Sequence, residues 1–199
     1  MQRRNFMKYT GITAVAISAS GFTILKKDGR TIGDCKTTTD ILGPYFRENA
    51  PFRNDLSLPG KTEQKVIKVV GRVFAADCKT ALSNVLIDIW HCDENGDYDM
   101  KTDEYKCRGR FYSDSNGDYH FTTFIPPAYG RVRPKHIHYL VNKTEGHQKL
   151  VTQIYFKGDK RIKDNNWVVH PWDERRILDI YENEQGIEEV QLDLYLTAE

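Results

Sequence analysis

The stretch "NVLIDIWHCDENGDYD", Asn84 to Asp99, sets apolar Val85, Ile87 and Ile89 at alternate positions and then breaks into Asp, Asn and Gly. A period of two marks a strand with one buried face. Asn95-Gly96 marks a tight turn, because both residues accept positive φ. The same alternation recurs on either side. Strands are expected at Lys65–Phe74, Asn84–His91, Gly109–Ser113, Tyr119–Phe124, His136–Val141, Leu150–Phe156 and Glu188–Leu196. Short strands at regular spacing, separated by Gly/Asn/Asp turns, predict an all-β fold, a β-sandwich of mostly antiparallel strands. One segment departs from this pattern: "PWDERRILDIYENEQ", starting at Pro171, carries a helical periodicity.

At 199 residues the chain suits one domain with a sizeable core. Its first thirty residues read differently. Arg3-Arg4 and Lys8 precede an uncharged run from Gly11 to Leu25, shorter than the roughly 20 apolar residues that span a bilayer. That is the layout of an export signal, and Arg3-Arg4-Asn5-Phe6-Met7-Lys8 matches the twin-arginine type. Residues 1–30 are therefore expected to engage the twin-arginine (Tat) export machinery. Residues 31–199 are expected to form the folded domain, in the periplasm or envelope of a bacterium. The basic excess of residues 1–30 leaves the remainder mildly acidic, which argues against a nucleic-acid partner. Cys35, Cys78, Cys92 and Cys107 lack any CxxC spacing. In an oxidising compartment they read as two disulfides with the pairing open, and otherwise as free buried thiols.

The turn "DENGDYD" from Asp93 has an echo in "DSNGDYH" from Asp114. Both begin like calcium loops, but the sixth place, where such a loop needs glycine, holds Tyr98 and Tyr119. The turn reading is preferred at both.

In the expected strand His136–Val141, His136 and His138 share one face. Two imidazoles side by side ask for a metal. A cupin-like site needs a carboxylate four or five residues on, where Asn142 and Lys143 stand. Tyrosine is the other donor to consider, and a phenol of pKa near ~10 ligates only a strong Lewis acid such as Fe(III). Tyr98 and Tyr129 are placed to take part, but nothing in residue type separates them from the other tyrosines. His120, His147 and His170 read as ordinary polar residues, and His91, beside Trp90, is placed at a pocket edge.

Five blocks, "GPYF" (Gly43–Phe46), "GRVFAADCKTALSNVLIDIWHCDENGDYD" (Gly71–Asp99), "RGRFYSDSNGDYHFTTFIPPAYG" (Arg108–Gly130), "RPKHIH" (Arg133–His138) and "VTQIYF" (Val151–Phe156), follow one another in an order that resembles the intradiol ring-cleavage dioxygenases. The resemblance implies a β-sandwich with long active-site loops. It implies a non-haem Fe(III) held by Tyr98, Tyr129, His136 and His138, with Tyr129 as the ligand that leaves when a catechol binds. It implies roles for Arg133 and Gln153 beside the substrate, and a substrate-side loop at Gly43-Pro44-Tyr45. The implied partners are a small aromatic diol and O2, and the implied assembly is a homo-oligomer. The N-terminal dimerisation helices of the larger family members have no counterpart here. The rival reading, an exported β-sandwich binding module without catalysis, predicts damage at the four ligand positions, and all four are intact.

Overall fold

The computed structural model describes residues 35–57, 65–142, 144–162 and 174–199, with four two-residue strand segments ahead of residue 35. Most of the expected export signal, together with Trp167, His170 and Trp172, lies outside the described residues.

Two mixed sheets pack face to face. The first runs in the order β7 (Ile177–Leu178), β6 (Leu150–Phe156), β5 (His136–Val141), β2 (Leu86–Trp90), β3 (Arg108–Tyr112). The second is built on β1 (Val66–Ala75), which pairs antiparallel with β4 (Asp118–Phe124) on one edge. On its other edge β1 pairs parallel with β9 (Glu188–Gln191) and then β10 (Leu194–Leu196), and β8 (Tyr181–Glu182) extends β9.

Pleating divides the first sheet into two chemistries. Ile87 and Ile89 of β2, Ile137, Tyr139 and Val141 of β5, and Ile154 and Phe156 of β6 point between the sheets, where they meet Ile67, Val69, Phe121, Val190 and Leu194. Burying such side chains stabilises by roughly 1.5–3 kcal/mol each, which fixes the register, because a one-residue slip would expose the whole set. The alternate residues, Asp88, Trp90, His136, His138, Gln153 and Tyr155, therefore face outward. They are buried as well, because the segments 35–57, 91–107 and 125–135 fold over that outer face.

The expected strand Glu188–Leu196 is split at Leu192-Asp193. A Cβ on Gly71 would lie 1.7 Å from the Leu192 carbonyl oxygen, so the two backbones cross where only glycine fits. The Asp193 carboxylate accepts the Arg72 N–H there, at 3.1 Å. The helical reading from Pro171 is corrected. Glu174–Arg176 make a single 3-10 turn, and Ile177–Leu178 then pair parallel with Tyr155–Phe156. Burial of Arg176 and Leu178 at the sheet edge overrode the local helical pattern. Cys35 and Cys78 form a disulfide, whereas Cys92 and Cys107 are buried free thiols that burial pushes up to about 12. The two-disulfide reading thus holds for one bond.

Candidate active site

Ladder register brings the outward residues into rows. His138 stands opposite Gln153 on one side and Trp90 on the other, and His136 stands opposite Tyr155. The Trp90 indole stacks on the His138 ring at 4.7 Å and 6°. Trp90, not His91, lines this face: His91 points inward, its Nδ1–H donating to the Cys92 carbonyl (2.7 Å) and its Nε2 accepting from the Thr123 hydroxyl (2.6 Å). The expectation that put His91 at the pocket edge fails because successive strand residues face opposite ways.

Tyr98 and Tyr129 arrive on loops. The Asp93 carboxylate accepts the N–H groups of Asn95 and Asp97, and this turn delivers Tyr98. One oxygen of Asp114 accepts the equivalent pair of N–H groups in the echo, so both segments form the turns expected. Behind Tyr98, the buried Arg108 donates from Nε to the Asp99 carbonyl at 2.9 Å. Tyr129 closes a small bridge with Arg133, and Arg161 Nη1 donates to the carbonyls of both, at 3.3 and 3.2 Å.

The four side chains meet. Ring centroids lie 5.7 Å apart for Tyr98 and Tyr129, 5.5 Å for Tyr129 and His136, 4.8 Å for His136 and His138, and 6.1 Å for His138 and Tyr98. The circuit closes on itself. Within it, Tyr98 Oη is 3.3 Å from His136 Nε2 and 3.5 Å from Tyr129 Oη. His136 Nδ1–H donates to the Pro134 carbonyl at 2.6 Å, which fixes the tautomer and leaves the Nε2 lone pair facing the phenols. Both nitrogens of His138 are buried without a hydrogen-bond partner, and so is Arg133 Nη1. Orphaned buried atoms are rare and ask for a missing ligand.

Electrostatics points the same way. Burial, with Arg133 adding repulsion, pushes His136 down to about 3, and burial with His136 beside it pushes His138 well below the usual histidine range. Both imidazoles are thus neutral donors. Burial, then the neighbouring Tyr129, raises Tyr98 far above the ordinary phenol range. Such a phenol gives up its proton only to a strong Lewis acid. Two phenols and two neutral imidazoles form a donor set that suits a trivalent cation. Among the described residues no three His, Cys, Asp or Glu side chains gather to hold a metal; this circuit takes half of its donors from tyrosine.

The remaining expected residues surround the circuit. Arg133 Nη2 donates to Gln153 Oε1 at 2.9 Å and lies 3.0 Å from His136 Nε2. Tyr45 stacks on Tyr98 at 4.3 Å and 8°, and a Cβ on Gly43 would sit 3.6 Å from His138 Cε1. Pro44 lies between them in the same loop. The sequence reading missed Trp90, Asp40, Arg176 and Tyr155, although the alternation of β2 and β6 already assigns Trp90 and Tyr155 to the outer face.

The chain has relatives. The dioxygenase family model matches residues 41–197. The chain belongs to the intradiol ring-cleavage dioxygenase family. It is 31% identical to the chlorocatechol 1,2-dioxygenase of Pseudomonas putida over 147 residues, 63% of this chain and 55% of that protein. To the hydroxyquinol 1,2-dioxygenase of Corynebacterium glutamicum it is 30% identical over 149 residues, 64% of this chain and 48% of that protein. This intradiol family member thus spans about half the length of the curated relatives it matches. Among solved structures, the dioxygenase domain of a dioxygenase carbohydrate-binding protein fusion from Streptomyces sp. SirexAA-E superposes with a TM-score of 0.71 at 28% identity, covering 82% of this chain and 99% of that one.

Proposed function

We propose that this intradiol family member is a non-haem Fe(III) dioxygenase that opens the ring of a catechol-type substrate between its hydroxyl-bearing carbons, adding both atoms of O2 to give a muconate-type dicarboxylic acid. The observation that carries this reading is the closed circuit of Tyr98, Tyr129, His136 and His138, with both His138 nitrogens unpartnered in a buried site. These four residues would hold the iron. When bound, the metal supplies Lewis acidity that favours phenolate over phenol and makes a chelated diol reactive towards O2.

The rest falls to the chain. His136 and His138 contribute no charge, so the negative charge that would balance the metal falls to Tyr98 and to either Tyr129 or the diol that replaces it. Tyr129, carried on a loop rather than a strand, would be the ligand to yield to a diol, and its Oη would hold one of the diol's two protons. Arg133 brings a guanidinium, and its buried Nη1–H has no partner and would donate to substrate oxygen as negative charge develops there. Gln153 holds the other arm of that guanidinium. Gly43, Pro44 and Tyr45 form the wall against which the ring lies. Water is kept out by the loops that bury the outer face.

Purified with iron, the protein should be burgundy from tyrosinate-to-iron charge transfer. Anaerobic catechol should shift that band, and isotopically labelled O2 should appear twice in the product. An iron-loaded but colourless protein, or one with no ring-opened product, would overturn the assignment. Export is part of the same reading, supported by Arg3-Arg4 and by the Cys35–Cys78 disulfide, a bond that persists in oxidising compartments. Cell fractionation with Arg3→Lys and Arg4→Lys together tests it.

A further inference from the structure

Beneath Gln153 lies an ion pair that the reaction does not touch. Arg176 Nη1 meets Asp40 Oδ2 at 2.6 Å, with side chains 1% and 0% exposed. Burying two charges costs several kcal/mol per ion before their attraction is counted, so such a pair is weak support for stability. Its geometry suggests another task.

Asp40 Oδ2 also accepts the Tyr155 hydroxyl at 3.0 Å, and that hydroxyl lies 3.2 Å from Gln153 Oε1. Gln153 Nε2 faces only acceptors, the Ile41 carbonyl at 3.0 Å and Asp40 Oδ1 at 3.4 Å. The amide therefore has one permitted orientation: its NH2 turns towards Asp40 and its Oε1 turns towards Arg133 Nη2. Arg176 Nη1 further donates to the Gln153 carbonyl at 3.3 Å, and the Asp40 N–H bonds the Val151 carbonyl at 2.8 Å, so both members of the pair are tied to β6 itself. With Nη2 held, the orientation of the guanidinium is set and its Nη1 is left buried without a partner.

We infer that Asp40, Arg176 and Tyr155 are positioning residues that set the polarity of the Gln153 amide and through it the aim of Arg133. The inference rests on the dioxygenase reading. Asparagine at position 40 would put an NH2 where an acceptor is required and allow the Gln153 amide to turn over, presenting donors to a guanidinium that needs an acceptor. Phenylalanine at 155 removes one oxygen and loosens the same link with minimal change of volume.

The test uses iron-loaded wild type, Asp40→Asn and Tyr155→Phe, with anaerobic titration of 4-nitrocatechol alongside steady-state ring cleavage of catechol. Because no ligand position is altered, iron content and the resting visible band should match wild type. Affinity for 4-nitrocatechol should fall about tenfold in Asp40→Asn and about threefold in Tyr155→Phe, with kcat falling in parallel, as expected for losing one well-aimed charged donor. A purely structural role would lower iron content and thermal stability together and leave the affinity of the loaded fraction unchanged; that result overturns the inference. If Asp40→Asn does not fold, Tyr155→Phe decides alone, and wild-type affinity and turnover in it overturn the inference. A wild type that neither binds 4-nitrocatechol nor cleaves catechol overturns the dioxygenase reading itself, an outcome distinguishable from normal wild type with undisturbed variants.

Discussion

In the turn from Asp93 the carboxylate accepts the N–H groups of Asn95 and Asp97 at 2.9 and 3.0 Å; in the turn from Asp114 it accepts those of Asn116 and Asp118 at 2.8 and 2.9 Å. Each turn places a glycine at positive φ, Gly96 at +88° and Gly117 at +80°, and each is followed two residues later by a tyrosine. The tyrosines then diverge. Tyr119 turns between the sheets, and its hydroxyl donates to the Leu192 carbonyl at 2.8 Å. Tyr98 turns to the outer face, where its hydroxyl meets His136 and Tyr129. A phenol that finds a backbone carbonyl is a structural donor. A phenol that ends among imidazoles and another phenol is the one we propose as a metal donor. Local sequence makes the turn; the acceptor waiting beyond it decides the chemistry.

The sharpest break of this symmetry is removal of each hydroxyl. Tyr98→Phe should alter the visible band of the iron-loaded protein and cut catechol turnover by about 100-fold or more, with little change in the stability of the metal-free chain, since no carbonyl loses a donor. Tyr119→Phe should do the opposite: it leaves the Leu192 carbonyl unsatisfied at a cost of about 1–3 kcal/mol in urea unfolding, with colour and turnover kept. Equal losses of activity from the two would collapse the distinction.

The histidines beside the two turns extend it. His91, at the entry to the first, is fully buried, and that burial pushes it down to about 4. His120, after the second tyrosine, is exposed and lies 3.2 Å from Asn54 Nδ2. The folded state resists protonating His91, whereas the unfolded chain takes up the proton near pH ~6.5. Its contribution is therefore complete above that pH and is lost as pH falls towards about 4, on the order of 2 kcal/mol by pH 5. His136 and His138 add their own acid-side loss in metal-free protein, so the measurable quantity is the difference between wild type and His91→Gln in urea midpoints at pH 7 and pH 5. Wild type should lose more than the variant. Parallel curves for wild type and His91→Gln would refute the claim.

The glycines of the two turns come next in size. Alanine at either is strained by about 1–2 kcal/mol in the left-handed region, and in each case the added Cβ would find a neighbour at 3.0 Å. For Gly96 that neighbour is the Cβ of Tyr129; for Gly117 it is the Val73 carbonyl oxygen. Both variants should lose stability by similar amounts. Only Gly96→Ala should weaken iron binding, by about tenfold in a chelator competition.

How far this could be read beforehand depends on which forces are local. Period-two runs fixed by burial were legible: His136–Val141 and Leu150–Phe156 are strands over the residues expected. The parallel pairings of β1 with β9 and β10, and of β6 with β7, were not, since alternation says nothing about which neighbour a strand will find. The break at Leu192-Asp193 depends on a crossing over Gly71 that is distant in sequence. The pair of imidazoles was visible as a pattern because i and i+2 share a face. The two phenols were chosen by family resemblance alone, and the structure brings them to the imidazoles. Asp40 and Arg176, 136 residues apart, carry no local signature at all.

The smallest expected effect is also the most direct comparison of the turns. Asp93→Ala and Asp114→Ala each remove a carboxylate that accepts two backbone N–H groups, and each should cost about 1 kcal/mol in urea unfolding of the metal-free protein, the usual worth of such a cap. Because the two turns are built alike, the stability losses should agree within experimental error. The turns differ in what they carry. Loosening the first lets Tyr98 move relative to His136, now 3.3 Å away, so Asp93→Ala should shift the visible band and weaken iron binding a few-fold. Asp114→Ala should leave both untouched, because the phenol it carries is already spoken for by Leu192. If the Asp114 variant perturbed the band as much as the Asp93 variant, the site would be responding to the stability of the whole sandwich rather than to the turn that holds its tyrosine.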